Sequence, residues 1–296
     1  MSEPLEFTGE RFTPECVREI HYEHIHRYVF ARGLVRGKRV LDAACGEGYG
    51  SALLADFAAS VVGVDVSSDA IEHAQDRYQA EGLEFRQADC LALPFGDDEF
   101  ECIASFETLE HLEEQEQLLS EFRRVLKPGG FLLISTPDKA IYTDKLGNNN
   151  EFHPKELYRD EFESLVARHF PVHRLWGQKL GFQSLIWSLE ESPGQWFNRE
   201  NEQGINTSAS PPYEAVYLMA LCASTKDCLP SASEGLSLFD DTAESVYDHY
   251  YHEIRKNMAA GGLILDRDRE IAELKAKLSE VARKETPWWR SLLGKG

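Results

Sequence analysis

The stretch Arg39-Val-Leu-Asp42-Ala-Ala-Cys45-Gly46-Glu-Gly48-Tyr-Gly50, continued by Ser51 to Phe57 and Val61-Val-Gly-Val-Asp65, decides the fold. It reads as strand, glycine turn, helix and second strand. Glycine at the carboxyl end of a strand lets the backbone approach a ligand closely, and the next helix turns its free N–H groups to the same place. An acid roughly 20 positions beyond the glycines is where a ribose hydroxyl pair is held, and Asp65 fits. The spacing Gly46-x-Gly48-x-Gly50 departs from the dinucleotide pattern G-x-G-x-x-G. Asp42, at the end of the first strand, would repel a pyrophosphate and suit an ammonium. The ligand implied is a nucleoside that carries an amino acid; an ordinary tight turn in an α/β sheet is the plain alternative.

Outward from this unit the same alternation continues. Ser67 or Ser68 caps a helix running to about Gln79, Leu83 to Gln87 is a short strand, and Phe100 to Ala104 is a fourth. A helix finishing over Leu118 to Leu126 stops at Lys127-Pro-Gly-Gly130, and Phe131 to Ser135 is a fifth strand. Tyr213 to Cys222 reads as the final strand. Before the sheet, Glu19 to Arg32 is a helix with Tyr22, Ile25 and Val29 on one face; it also carries His21, His24, His26 and Arg27. A solvated helix face would explain these, and so would a lid over a ligand. Pro154 to His169 reads as a helix with Leu157, Phe162, Leu165 and Val166 toward the core, and 177–212 is an insertion rich in aromatics (Trp187 and Trp196 among them) on the substrate side. Strands alternating with helices in this way give a doubly wound sheet.

The glycine turn with its two acids resembles the first motif, D-x-x-C/G-G-x-G, of the class I S-adenosylmethionine-dependent methyltransferases, over roughly Val40 to Ser224. The resemblance implies a Rossmann-like, seven-stranded, mostly parallel sheet with helices on both faces. It implies S-adenosylmethionine as cofactor, with Asp42 at the methionine end, Asp65 on the ribose and Asp89 on the adenine amino group. Tyr22, Cys45, Gly46, Gly48, Val66, Cys90 and Phe106 complete the cofactor set on the same ground.

Directly after the fourth strand comes Ser105-Phe-Glu107-Thr-Leu-Glu110-His111. If a helix begins here, Glu107, Glu110 and His111 share one face at the carboxyl rim of the sheet, where open α/β folds bind ligands. His153 follows the irregular loop after the fifth strand and reaches the same rim. Two carboxylates and two imidazoles suit a divalent cation, magnesium or manganese, that polarises a hydroxyl; Glu107, His111 or His153 could also act on the proton directly. The segment resembles the E-x-x-E-H magnesium site of small-RNA 2′-O-methyltransferases and the E-x-L-E-H segment of ubiquinone-pathway O-methyltransferases. Acids that merely favour a helix start are the plain alternative.

The 296 residues carry 31 basic and 51 acidic side chains, a net charge of −20, which argues against a protein that tracks nucleic-acid phosphates. The six cysteines form no C-x-x-C pair, and no apolar run reaches membrane-spanning length, so a reduced, cytoplasmic setting is expected. The organisation expected is a lid helix over 1–36, a methyltransferase domain over 37–226, a linker over 227–246, a helix over 247–284 and an amphipathic tail over 285–296. Ile264, Ile271, Leu274, Leu278 and Val281 follow a 3.5-residue period broken by Arg267, which predicts a short coiled coil able to form a homo-oligomer or recruit polysaccharide-assembly enzymes. Pro287-Trp-Trp-Arg could rest peripherally on the inner face of a membrane. Thr8-Gly-Glu-Arg11-Phe with Tyr22-Glu-His resembles the opening of bacterial methyltransferases of surface-polysaccharide pathways, with Arg11 a candidate for an anionic group. The expected function is O-methylation of a sugar, glycan terminus or sugar-linked phosphate. A small natural-product or quinone-like phenol as acceptor, and a non-catalytic scaffold, are the rivals.

Overall fold

The computed structural model describes residues 19–181, 197–202, 204–231 and 235–284. Strands β1 (Arg39–Ala43), β2 (Ser60–Asp65), β3 (Leu83–Gln87), β4 (Phe100–Phe106), β5 (Leu126–Pro137), β6 (Val172–Gln178) and β9 (Tyr217–Ala223) form a seven-stranded sheet in the order 3-2-1-4-5-9-6. Only β9 runs against the others: it pairs antiparallel with β5 and β6, while β1 to β5 pair in parallel. Strands β7 (Phe197–Asn201) and β8 (Gly204–Ser208) make a separate hairpin.

Both faces of the sheet are covered, and strand side chains alternate between them. Leu41, Ala43, Ile103, Leu132 and Ile134 pack with Leu118, Leu119 and Phe122 of α4 (Gln115–Val125) and Phe162, Leu165 and Val166 of α5 (Arg159–His169). Val40, Val61, Cys102, Ala104 and Leu133 face the other way, onto Tyr28 and Ala31 of α1 (Glu19–Arg32) and Leu54 of α2 (Tyr49–Ala55). This period-two division into two dry faces explains why the central strands read as continuous apolar runs. Helix α3 (Ser68–Arg77) starts at Ser67, whose hydroxyl accepts the Ala70 N–H, as its sequence requires.

Three expectations need correction. Residues 154–158 are not helical: Leu157 bridges to Asp138 in an extended segment, and α5 begins only at Arg159. Helix α4 ends at Val125, before Lys127-Pro-Gly-Gly130 as expected, but β5 starts at Leu126 rather than Phe131 and takes those residues into its span, and the β4–β5 register shifts between Phe100 and Cys102. Residues 177 and 178, assigned to the insertion, end β6, whose half-buried sequence hides its strand character. The Trp187 and Trp196 expectation lies outside the described residues, as do Arg11, the Thr8–Phe12 motif and the 285–296 tail.

The chain divides into two units, Met1–Phe239 and Asp240–Gly296. The second is dominated by α6 (Ser245–Lys284), a helix of 40 residues that continues through Gly261-Gly262. Among the described residues, no helix is long and apolar enough to cross a membrane.

Candidate functional site

The strand order reverses between β1 and β4, and a cleft of about 770 Å³ opens at the carboxyl ends of the strands there. One end of it is built by the turns after β1, β2 and β3. The β1 turn holds Ala44 at φ 61°, Gly46 at 56° and Gly48 at 92°, so the chain reverses tightly before α2. A Cβ on Gly48 would sit 2.7 Å from both Ala74 and the Phe85 ring; besides its positive φ, the position lacks room for a side chain. Between the glycines, the buried carboxylate of Glu47 accepts the Tyr78 hydroxyl at 2.8 Å and meets His73 at 3.0 Å, which fastens the turn to α3.

Asp65 closes the same turn from β2: Gly46 N–H donates to its Oδ2 at 3.0 Å and Ser67 N–H to its Oδ1 at 2.9 Å. Asp89 accepts the Leu91 N–H at 2.8 Å. Asp65, Asp89, Cys45, Gly46, Cys90 and Phe106 all line the cleft, together with Val66, which is 69% exposed at the rim. Two carboxylates able to accept from hydroxyl or amino groups, an open apolar rim and a backbone turn with no side chain in the way form a lining that fits a nucleoside.

Three members of the expected cofactor set stand elsewhere. Asp42 is fully buried behind the cleft: Ser51 donates to its Oδ2 at 2.6 Å and Tyr28 to its Oδ1 at 3.1 Å. Burial raises its carboxyl to about pH 6, against which the two hydroxyl donors work. Gly48 packs on α3 and Phe85. Tyr22 is buried with its ring edge-on to Phe239, 5.5 Å away. The tyrosine that reaches the cleft from α1 is Tyr28, whose ring stands edge-on to Phe106 and Tyr49. Ile20, Glu23 and His24 of the same helix also line the cleft, so α1 forms one of its walls. Burial, then the nearby Arg27, holds the His24 imidazole well below its usual range, which keeps it neutral.

The other end is polar and aromatic. No helix begins at Glu107: β4 runs to Phe106, Glu107 adopts φ 52°, and only a three-residue 3-10 turn, Leu109–His111, follows. Glu107 therefore does not share a helical face with Glu110 and His111. It accepts the Ser135 hydroxyl at 2.6 Å and lies 3.5 Å from the buried guanidinium of Arg27, which stacks on Tyr217 and donates to Gln178. Glu110 is 1% exposed and accepts the Thr136 hydroxyl at 3.1 Å; burial, then repulsion from Glu107, raises its carboxyl well above the usual range.

One ligand atom from each of Glu110, His111 and His153 lies within 4.8 Å of the others. The expected fourth member, Glu107, is not in this group because Arg27 and Ser135 hold it. The two imidazole rings meet edge-on with centroids 4.8 Å apart, and Tyr142 tilts against His153 on the far side. His111 Nδ1 is 2.9 Å from the Phe152 carbonyl, which only accepts, so that nitrogen carries the ring proton. The sequence named His111 and His153 but assigned no part to Tyr28, Tyr142, Asn150, Glu156 or Tyr217. They come from α1, the turn Ala140–Lys145, the connection that precedes α5, and β9, and no spacing rule joins them.

The chain is similar to methyltransferases. Residues 41–134 match the profile of a family described as a methyltransferase domain. A probable S-adenosylmethionine-dependent methyltransferase from Mycolicibacterium smegmatis is 36% identical over 165 residues, covering 55% of this chain and 63% of that protein. A fatty-acid O-methyltransferase from the same species is 39% identical over 170 residues, covering 51% and 62%. A solved structure from Thermotoga maritima, a SAM-dependent methyltransferase described as a possible histamine N-methyltransferase, is 16% identical; it aligns over 69% of this chain and 90% of that one with a TM-score of 0.49. The chain spans less than two thirds of the length of these two curated relatives.

Proposed function

We propose that this chain is an S-adenosylmethionine-dependent O-methyltransferase in which Glu110, His111 and His153 hold a divalent metal, magnesium or manganese, beside the acceptor. One observation carries the reading: the Asp65–Asp89 end and the Glu110–His111–His153 end are two ends of one cleft. The cofactor would lie along Gly46, Asp65, Val66, Asp89, Cys90 and Phe106 and supplies the methyl group. The metal would supply a Lewis acid that makes the acceptor hydroxyl more acidic. Arg27 neutralises Glu107 beside this end and keeps its carboxylate out of the ligand set. Glu110, held toward the protonated state by burial, would become a ligand only by losing its proton, so metal affinity should rise with pH.

The acceptor we favour is a sugar, glycan terminus or sugar-linked phosphate of a bacterial envelope polysaccharide. The hydroxyl, amide and carboxylate groups of Tyr142, Tyr217, Asn150 and Glu23 at this end suit a polyhydroxylated acceptor. The net charge of −20 speaks against a nucleic-acid acceptor. A carboxylate acceptor, as the name of the fatty-acid relative suggests, is the second reading; Glu23 at this end would repel it until a cation bound. We further propose that α6 mediates self-association, and that the protein is cytoplasmic.

Calorimetric titration of the metal-stripped chain with S-adenosylhomocysteine, alone and with manganese, tests the proposal. The expectation is a Kd on the order of micromolar, lost in Asp65→Ala, and a separate manganese heat lost in His111→Ala. S-adenosylhomocysteine binding without any manganese heat removes the metal but keeps the transferase. No binding at all removes both and leaves a scaffold.

A further inference from the structure

The two histidines of the cluster are not equally supported. His111 rests on a backbone carbonyl, whereas His153 sits in a chain of side-chain hydrogen bonds that leaves little choice of protonation. Phe152 N–H donates to Asn150 Oδ1 at 3.0 Å, which sets the amide orientation and turns Nδ2 toward His153. Asn150 Nδ2, a donor only, meets His153 Nε2 at 2.9 Å, so Nε2 presents its lone pair. On the opposite side Glu156 Oε1 lies 2.7 Å from Nδ1 and, as a carboxylate, can only accept. The second Glu156 oxygen is tied down by the Thr143 hydroxyl, on the π-helical turn Ala140–Lys145. The side chains of both His153 and Glu156 are 7% exposed, so water competes little for these bonds.

We infer that Glu156 is the positioning residue of this site: it holds the proton of His153 on Nδ1 and so keeps Nε2 as the atom that ligates or accepts. The inference rests on the proposed role of His153 and gives the reason why its lone pair is available. Imidazole ligands whose second nitrogen donates to a carboxylate are fixed in tautomer and ring orientation and become more basic. Glu156 does not line the cleft; Thr143 orients Glu156, Glu156 orients His153, and Asn150 donates to the Nε2 lone pair, which it would have to yield to a metal ion.

Long-range proton–nitrogen spectra of the full chain with isotope-labelled histidine separate protonated from unprotonated ring nitrogens, and His153→Asn identifies the resonance. In the wild-type protein Nδ1 should carry the proton and Nε2 should not. In Glu156→Ala made together with Asn150→Ala, so that no amide N–H faces Nε2, the proton should move toward Nε2; in Glu156→Ala alone manganese affinity should fall by about 10–100-fold, and S-adenosylhomocysteine affinity should not change. A wild-type ring with its proton on Nε2 overturns the inference without any variant, so the test survives if Glu156→Ala fails to fold. An unchanged tautomer in that folded double variant overturns it as well. Absence of S-adenosylhomocysteine binding in the wild type would instead defeat the transferase reading, which the histidine spectra do not report.

Discussion

Asp42 is a carboxyl group out of water with two hydroxyl donors and no cation within bonding distance among the described contacts. Its folded value of about 6 lies above the unfolded 3.8, so between these the native state holds a proton that the unfolded chain has lost. Its contribution to stability is then fully present below pH 3.8 and lost as pH rises through about 6; the difference of roughly two units amounts to about 3 kcal/mol. Asp42→Asn removes this ionisation. Urea unfolding of both proteins should show the variant gaining on the wild type by up to about 3 kcal/mol as pH climbs from 4 to 7, and parallel curves would sink the assignment. The same residue marks what can be read locally. Its place near the end of a strand before a glycine turn was legible. Its burial was not, because the groups that cover it, Tyr28 and Ser51, stand 14 residues before and nine after it on two helices. Asp65, the last residue of β2, and Asp89, two residues beyond β3, both line the cleft.

Helices α1 and α2 meet where Gly50 allows it. A Cβ added there would fall 2.0 Å from the Tyr28 ring, and that ring cannot retreat because Tyr49 and Phe106 flank it. Gly50→Ala should therefore cost about 1–3 kcal/mol by overpacking and pull the Tyr28 hydroxyl off Asp42. Gly129→Ala, at a position with nothing within 4 Å, is the matched control. Equal denaturation midpoints for the two variants would show that α1 yields freely. At this scale strands β1, β2, β4 and β5 were legible, since burial on both faces leaves apolar runs, whereas β3, an edge strand with Phe85 alone buried, was legible only from its place in the alternation of strands and helices. Strand β6, with intermediate burial along most of its length, and the polar β7–β8 hairpin gave no such signal. The helix expected after β4 failed for a different reason: Glu107 enters a left-handed conformation that neither its residue type nor its neighbours announce, and the pairing with Arg27 and Ser135 supports it. The cluster of Glu110 with both histidines survives because the β5 side of the fold brings His153 across, 42 positions from His111.

The second unit poses a question that its own sequence pattern answers in part. Along α6, Ile264, Ile271, Leu274, Leu278 and Val281 are between 47% and 70% exposed, more apolar surface in one stripe than a solvated helix needs. With Ile264, Ile271 and Leu278 at one core position of the heptad, Leu274 and Val281 fall at the other, and Arg267 is the single polar intruder there. In a parallel pair Glu270 of one helix would face Lys275 of the other, an attractive flank. Sedimentation of the full chain should therefore show a concentration-dependent dimer. Leu274→Glu combined with Leu278→Glu should dissociate it, since each leucine side chain taken out of a shared core forfeits roughly 1.5–3 kcal/mol. Arg267→Leu should act in the opposite sense and tighten the dimer by filling the polar gap in the stripe. S-adenosylhomocysteine affinity should stay the same in all three, because the cleft is lined wholly by residues of the first unit. A chain that sediments as a monomer at every concentration, and does so unchanged by Arg267→Leu, would mean that the stripe does not join two copies.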